Sequence, residues 1–165
     1  MKHLLVLLFF PAYLSAQDCQ LKKYKDQFSQ EPKISTGFMR YSSTSLSIDA
    51  DAKEIDFLFS VGKNSASEKC FDDASTVVFV FEGGRTRANF RNTGTMNCDG
   101  LIHITFKNSS TTPSALQRLI DKKITTISLN GTNKSITTVT LSEEQQQALS
   151  QRLSCFVEEA KKLIK

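Results

Sequence analysis

The segment TVVFVFEGGRTRANFR, residues 76–91, contains two β-strand patterns joined by a pair of glycines. Its first half is apolar on both faces, which is typical of a central strand that is covered on both sides. Gly83 and Gly84 tolerate the positive φ angles of a two-residue hairpin turn. In its second half, polar and less polar residues alternate, as in a strand with one solvated face. The segment therefore predicts an antiparallel hairpin in which Glu82 faces Arg85.

Patterns of period two continue on both sides of this hairpin. Such patterns, or runs rich in Thr, Ile and Val, predict strands that have one buried face. The polar residues Asp51, Ala52 and Lys53 predict the turn of a second hairpin, and Asn130 begins a third turn region. These further strands are predicted at residues 45–50, 54–61, 101–106, 124–129 and 136–141.

Two helices are predicted in the C-terminal half of the chain. The first has Thr112 as its cap and Pro113 at its first position, where proline loses no hydrogen bond. The second is capped by Ser142, and Gln145 three residues later completes a capping box. Its apolar residues recur at spacings of four and three, which places them on one stripe: Leu149, Leu153, Phe156, Ala160 and Leu163.

The order of these elements predicts an α+β fold. We expect an antiparallel sheet or partial barrel of about eight strands, with a short helix and a C-terminal helix packed on it. Residues 34–165 are assigned to this single domain. Residues 17–33 are polar and charged, and they predict a leader that is loosely ordered or holds one short helix.

Residues 1–16 have the pattern of a cleavable signal peptide. Lys2 is followed by the apolar run of residues 4–10, and the small residue Ala16 precedes the polar Gln17. A transmembrane helix needs roughly 20 apolar residues, so this run is too short, and no comparable run follows it. The sequence predicts an exported protein, periplasmic or secreted, without a transmembrane segment after cleavage.

Composition argues against several classes of function. The net charge is only +4, and the basic residues are scattered, which argues against a nucleic-acid partner. The chain has 12 phenylalanines and no tryptophan, a composition that suits a packed core better than a stacking surface for sugars. We therefore expect a protein partner in the envelope or the extracellular space.

Four cysteines follow the signal peptide, and an even number in an oxidising compartment favours disulfides. Cys70 and Cys98 leave the two arms of the central hairpin at nearly the same height, which predicts a bridge between them. Cys19 would then join the leader to Cys155 in the last helix. The rival pairing of Cys98 with Cys155 stays open at this point.

No pattern indicates a catalytic, cofactor or metal site. His103 is the one histidine after the predicted signal peptide, and on a strand it is interpreted as structural. Acidic residues cluster at Asp49, Asp51, Glu54 and Asp56, and calcium takes oxygen ligands from such spacings. The cluster lacks the loop glycine of a calcium site, and Glu54 and Asp56 fit the solvated face of a strand. We therefore interpret the cluster as a polar surface.

Arg85, Arg87 and Arg91 form a basic stripe on one face of the predicted return strand. Guanidinium groups at this spacing could meet carboxylates or phosphates of a partner. A solvated sheet face explains the same alternation without any partner. The stripe is the candidate partner-binding surface of the sequence.

Several short motifs resemble small exported proteins of Bacteroidota, a group without an assigned activity. The resemblance extends over about residues 54–156 and implies export and the general architecture, but no functional residue. It is carried by Ser15-Ala16-Gln17, Cys70-Phe71, residues 77–81, Gly83, Asn97-Cys98 and Cys155.

Three functions are compatible with these observations. The leading hypothesis is a non-enzymatic module that binds another macromolecule or supports the envelope. The alternative is a carrier that holds a small apolar ligand in a barrel-like sheet. An enzyme of unknown class is third. A carrier is disfavoured if phenylalanines fill the interior, namely Phe57, Phe59, Phe79, Phe81 and Phe90.

We expect the exported protein to begin at Gln17, because cleavage follows the small residue Ala16. Amino-terminal sequencing and the intact mass of the protein recovered from outside the cytoplasm measure this. A secreted chain that still starts at Met1 would contradict the prediction.

Overall fold

A computed structural model describes residues 19–62 and 69–164, so the predicted signal peptide lies outside the described residues. Within this part, the chain has ten β-strands and two α-helices, and its class is α+β as predicted. A short 3-10 turn, Thr132–Lys134, precedes the last strand. In chain order the elements are β1 (Lys22–Lys25), β2 (Pro32–Ser35), β3 (Met39–Tyr41), β4 (Thr44–Ala50), β5 (Glu54–Val61), β6 (Thr76–Phe81), β7 (Arg87–Arg91), β8 (Leu101–Lys107), α1 (Ser114–Asp121), β9 (Ile124–Asn130), β10 (Ile136–Thr140) and α2 (Glu143–Lys161).

The strands form two antiparallel sheets. The six-stranded sheet has the order β1-β2-β4-β5-β8, with β3 paired to one part of β4. The four-stranded sheet has the order β10-β9-β6-β7. The sheets are separate and do not close into a barrel. The predicted count of about eight strands is too low, because the N-terminal part of the chain supplies short strands that the sequence pattern did not indicate.

The central hairpin forms with the predicted register. Val77 faces Phe90, and the chain reverses at Gly83 and Gly84, whose φ angles are +83° and +70°. The first strand ends at Phe81, as predicted, but the return strand begins at Arg87 and not at Arg85, so Arg85 belongs to the turn together with Glu82.

Strand β6 is central in its sheet, but only one of its faces is fully buried. Phe79 and Phe81 point into the core, whereas Val78 and Val80 are half-buried on the opposite face. The prediction that both faces are covered is therefore wrong, since the outer-face residues Thr76, Val78 and Val80 remain partly accessible to solvent.

Phenylalanine rings pack against one another in the core between the sheets. Phe59 lies 6.2 Å from Phe79 between ring centroids, and Phe79 lies 5.8 Å from Phe90. Phe106 lies 5.2 Å from Phe90 and 5.3 Å from Phe57, in edge-to-face geometry. Such contacts stabilise an aromatic core beyond its burial of apolar area.

The buried side chain of Asn92 joins the two sheets where β7 leads into β8. Its Oδ1 accepts hydrogen bonds from the backbone N–H groups of His103, at 2.9 Å, and Gly94, at 3.1 Å. Its Nδ2 donates to the carbonyls of Asp72 and Gly94. The neighbouring Thr93 N–H donates to the His103 carbonyl. One side chain thus holds three chain segments together.

Helix α2 packs on α1 and β9. Ser142 and Gln145 form the predicted capping box, and the predicted stripe is buried except for Leu163, which is half-buried. Near the C-terminal end of α2, the buried amide of Asn108 donates to the carbonyls of Ala160, at 2.8 Å, and Asp51, at 2.7 Å. Asn108 thereby joins the β4–β5 turn to the C-terminal end of helix α2.

The start of α1 differs from the predicted cap. Pro113 itself is the N-cap, with ψ at 137°, and no side chain caps the helix. The extended backbone of Pro113 keeps it outside the helix, so the boundary lies one residue later than the Thr112 cap predicts.

Strands β1 and β2 replace much of the leader predicted for residues 17–33. Ile34 is buried where β2 pairs with β4, and β1 lies at the edge of the sheet. In the loop between them, Asp26 accepts backbone hydrogen bonds from Ser29 and Phe28 and pairs with Lys33 at 3.0 Å. These contacts, the Ser29 N–H foremost, lower the pKa of the Asp26 carboxyl. The segment is thus a hairpin rather than a loose leader or a short helix.

Two disulfides are present: Cys70 with Cys98, which the hairpin register predicts, and Cys19 with Cys155, the pair that then remains. The rival pairing of Cys98 with Cys155 does not occur. Their sequence separations are 28 and 136 residues. In the chain-entropy model such loops stabilise the folded state by about 3.5 and about 5 kcal/mol. The longer bridge joins the segment before β1 to helix α2.

We expect Asn92→Ala to lower the free energy of unfolding by about 3 kcal/mol, because it leaves the His103 N–H and the Asp72 carbonyl without their partner. The exposed Asn89→Ala is the matched control and should change stability by less than about 0.5 kcal/mol. Urea unfolding with both disulfides intact measures the difference. Equal effects of the two substitutions would contradict this role of Asn92.

Candidate functional site

The outer face of the four-stranded sheet is the candidate site. Strand register brings together side chains from all four strands, in three rows that run across the sheet. We call this surface the threonine-rich face. It consists of Ile136, Thr138 and Thr140 of β10, Thr126, Ser128 and Asn130 of β9, Thr76, Val78 and Val80 of β6, and Arg87, Asn89 and Arg91 of β7.

Side chains of the threonine-rich face are exposed on its outer strands and half-buried on its central strands. Asn130 donates a hydrogen bond to the Thr76 hydroxyl at 3.0 Å. The hydroxyl groups of Ser128 and Thr138 are 3.3 Å apart. These two hydrogen bonds join neighbouring strands, and β-branched threonines have few rotamers, so the side chains of this surface have limited conformational freedom.

Arg87 and Arg91 are the charged members of the threonine-rich face, and both are exposed. Four residues along a strand separate their Cα atoms by about 13 Å, with Asn89 between them. Guanidinium groups donate bidentate hydrogen bonds to carboxylates and phosphates. This edge of the face can therefore bind two separate anionic groups of one partner.

Arg85 does not belong to this face. It is exposed in the turn between β6 and β7, where the chain leaves the regular strand geometry. The three-arginine stripe predicted from the sequence is therefore reduced to Arg87 and Arg91, because alternation continues only as far as the strand does.

Sequence reasoning missed the contributions of β9 and β10 to the face. The signal was present in their alternating hydroxyl residues, such as Thr126 with Ser128 and Thr138 with Thr140. These residues could have been assigned to one surface only if the pairing of β9 with β6 had been known.

His103 lies on the outer face of the other sheet. Its cross-strand neighbour is Leu58, and its ring lies close to Gly94, where an added Cβ would be 2.9 Å from the imidazole Cδ2. In the described part of the chain, the imidazole has no hydrogen-bonding partner, and all four cysteines are in disulfides. The structure does not place a thiol nucleophile beside this histidine.

The four acidic residues of the predicted polar surface have separate roles. Asp49 and Asp56 face each other across β4 and β5, and their carboxylates accept hydrogen bonds from Ser47, at 2.8 Å, and Thr105, at 2.6 Å. Burial raises the pKa of the Tyr24 phenol, and the negative charge of the Asp49 carboxylate raises it further. Among residues 19–62 and 69–164, no group of three or more His, Cys, Asp or Glu side chains could hold a metal ion.

The other two acidic residues serve the β4–β5 turn and the edge of the sheet. Asp51 accepts hydrogen bonds from the backbone N–H groups of Lys53 and Glu54, which fixes the turn. Glu54 faces Lys107 across β5 and β8. These contacts agree with the interpretation of the cluster as a polar surface.

A groove of about 620 Å³ lies beside the Cys19–Cys155 bridge. Its carboxylates already have partners in the protein: Asp121 accepts from Gln117, Glu158 pairs with Lys161, and Glu159 pairs with Lys23 and Lys162. Paired carboxylates offer little to a cationic ligand, so the groove is a weaker candidate than the threonine-rich face.

Comparison with protein-family models, curated proteins and solved structures returned no match. The assignment of function therefore depends on the geometry of the chain itself. None of the helices in the described residues is both long and apolar enough to be a membrane span.

We expect Asp49→Asn to stabilise the protein by about 0.5 kcal/mol, because it removes like-charge repulsion with Asp56 while the new amide oxygen still accepts from Ser47. Glu54→Gln is the matched control and should destabilise by a few tenths of a kcal/mol, since it removes attraction to Lys107.

Urea unfolding at low and high salt measures both effects, and salt should reduce both. A change of the same sign in the two variants would contradict the electrostatic interpretation of this sheet face.

Proposed function

We propose that this domain is a non-enzymatic binding module, exported to the periplasm or secreted, and that its threonine-rich face contacts an acidic protein of the envelope or the extracellular space. The observation that carries the proposal is an uncovered sheet face whose charged members, Arg87 and Arg91, are both positive.

The distribution of apolar and polar side chains on the threonine-rich face suits a protein partner. Its central strand presents Val78 and Val80, which are half-buried, and hydroxyl and amide groups surround them. Protein interfaces commonly combine an apolar centre with a polar rim. Ordered threonines also lose little rotamer entropy on binding, which reduces the free-energy cost of association.

The single sign of charge supports an acidic partner. Complementary charges accelerate association and exclude partners of the same sign, and their effect falls as salt rises. Binding through Arg87 and Arg91 should therefore weaken as the salt concentration increases.

Export is supported by the two disulfides, because such bonds persist in oxidising compartments. The carrier alternative is not favoured, since the rings of Phe57, Phe59, Phe79 and Phe90 pack between the sheets where an apolar ligand would have to lie. The non-enzymatic part of the proposal is a hypothesis that turnover assays with His103→Ala would test.

Site-specific photocrosslinking in the exporting host tests the proposed face. A photoreactive residue placed at Asn89 should give a discrete adduct with a larger protein. The same residue placed at the exposed Lys107, on the other sheet, is the matched control and should not give that adduct.

We expect the double variant Arg87→Glu, Arg91→Glu to weaken binding of the partner at least tenfold, which corresponds to about 1.4 kcal/mol of binding free energy. The yield of the Asn89 adduct should fall accordingly. Adducts of equal yield from both positions, or an Asn89 adduct that is unchanged in the double variant, would contradict the proposal. Circular dichroism of the double variant checks that the sheet is intact.

A further inference from the structure

Strand β10 is an edge strand without the features that usually protect such edges. It has one strand partner, β9, within the described part of the chain. Its sequence, ITTVT, consists of β-branched residues and contains no charge and no proline. Native edge strands are commonly protected by lysine, proline or a bulge, because exposed backbone groups can pair with another chain.

The edge strand of the six-stranded sheet, in contrast, is protected by charged side chains. This strand, β1, has the sequence KKYK, with three lysines, and all four of its residues are exposed. The other end strands also carry charges: Arg87 and Arg91 lie in β7, and Lys107 lies in β8. Among the edge strands of the described residues, β10 is thus the one that lacks a charged side chain.

The hydrogen bonds of β10 to β9 identify the backbone groups that face outward. The Gly131 N–H donates to the Ser135 carbonyl, and the Leu141 N–H donates to the Thr125 carbonyl. Because bonded and non-bonded positions alternate in an antiparallel pair, Thr137 and Val139 also face β9. The N–H and carbonyl groups of Ile136, Thr138 and Thr140 then point away from the sheet.

The charges that flank β10 are self-complementary. Lys134 is exposed just before the strand, and Glu143 and Glu144 are exposed just after it. If two copies of β10 pair antiparallel over their full length, Thr138 faces its counterpart and Ile136 faces Thr140. Lys134 then lies beside the two glutamates of the second copy. This arrangement brings opposite charges together at both ends of the pairing.

We propose that β10 pairs antiparallel with β10 of a second copy of this chain, which forms a symmetric dimer with a continuous eight-stranded sheet. The contact is isologous, so it closes after two copies. It uses outward backbone groups and leaves the side chains of the threonine-rich face open to solvent. The proposal therefore stands or falls independently of the proposed function.

Analytical ultracentrifugation of the disulfide-bonded mature chain over a concentration series tests this. Thr138→Pro removes an outward N–H that β9 does not use, and it should weaken dimerisation at least tenfold. Thr138→Val keeps that N–H and the β-branched shape, and it should dimerise as the wild type does. Circular dichroism and thermal unfolding check that both variants are folded.

A charge exchange tests the register without altering β10. Lys134→Glu places negative charges together at both ends of the pairing, and the double variant Glu143→Lys, Glu144→Lys places positive charges together there. Each variant should therefore dimerise at least tenfold more weakly than the wild type. A mixture of the two restores opposite charges at both ends and should form mixed dimers.

A wild-type chain that stays monomeric would overturn the proposal, as would dimers that are insensitive to Thr138→Pro. Failure of the mixed variants to associate more tightly than either variant alone would overturn it as well. A strand of another protein captured at β10, with no self-association, would assign the edge to a different occupant and would equally overturn it.

Discussion

Val77 faces Phe90 and Phe79 faces Ala88 across the β6–β7 hairpin, and this register decides which side chains reach the core. A slip of one residue would turn every side chain of a strand to the opposite face, which would bury the guanidinium groups of β7. Burial of those charges without partners would destabilise the fold severely. The glycine turn, the aromatic core and the candidate surface therefore depend on one pairing.

Local patterns in the sequence were sufficient to predict much of this arrangement. The hairpin register follows from Gly83 and Gly84, and the cap of α2 follows from Ser142 and Gln145, because each depends on residues that are close in sequence. The same register indicates the pairing of Cys70 with Cys98, which the structure contains. These features were predictable because few long-range alternatives compete with them.

Pairing between distant strands was not predictable in the same way. Alternation shows that β9 has a buried face, but it does not show that β9 lies beside β6 rather than beside β8. Strand β1 has no buried residue, so Lys22–Lys25 gave no periodic signal at all. The outer surfaces of both sheets, and the candidate site with them, are assembled by such pairings. The arginines of β7 could therefore be assigned to one surface from the sequence, whereas the hydroxyl residues of β9 and β10 could not be joined to them.

The bridge between Cys19 and Cys155 makes most of the described chain a covalent ring. A protease that cuts one peptide bond between these cysteines nicks the ring but releases no fragment. The exposed glycine turn lies inside both disulfide loops, so a cut between Gly83 and Gly84 leaves two halves joined by two bridges. A molecule nicked at this turn can therefore keep its sheets assembled as long as both disulfides remain oxidised.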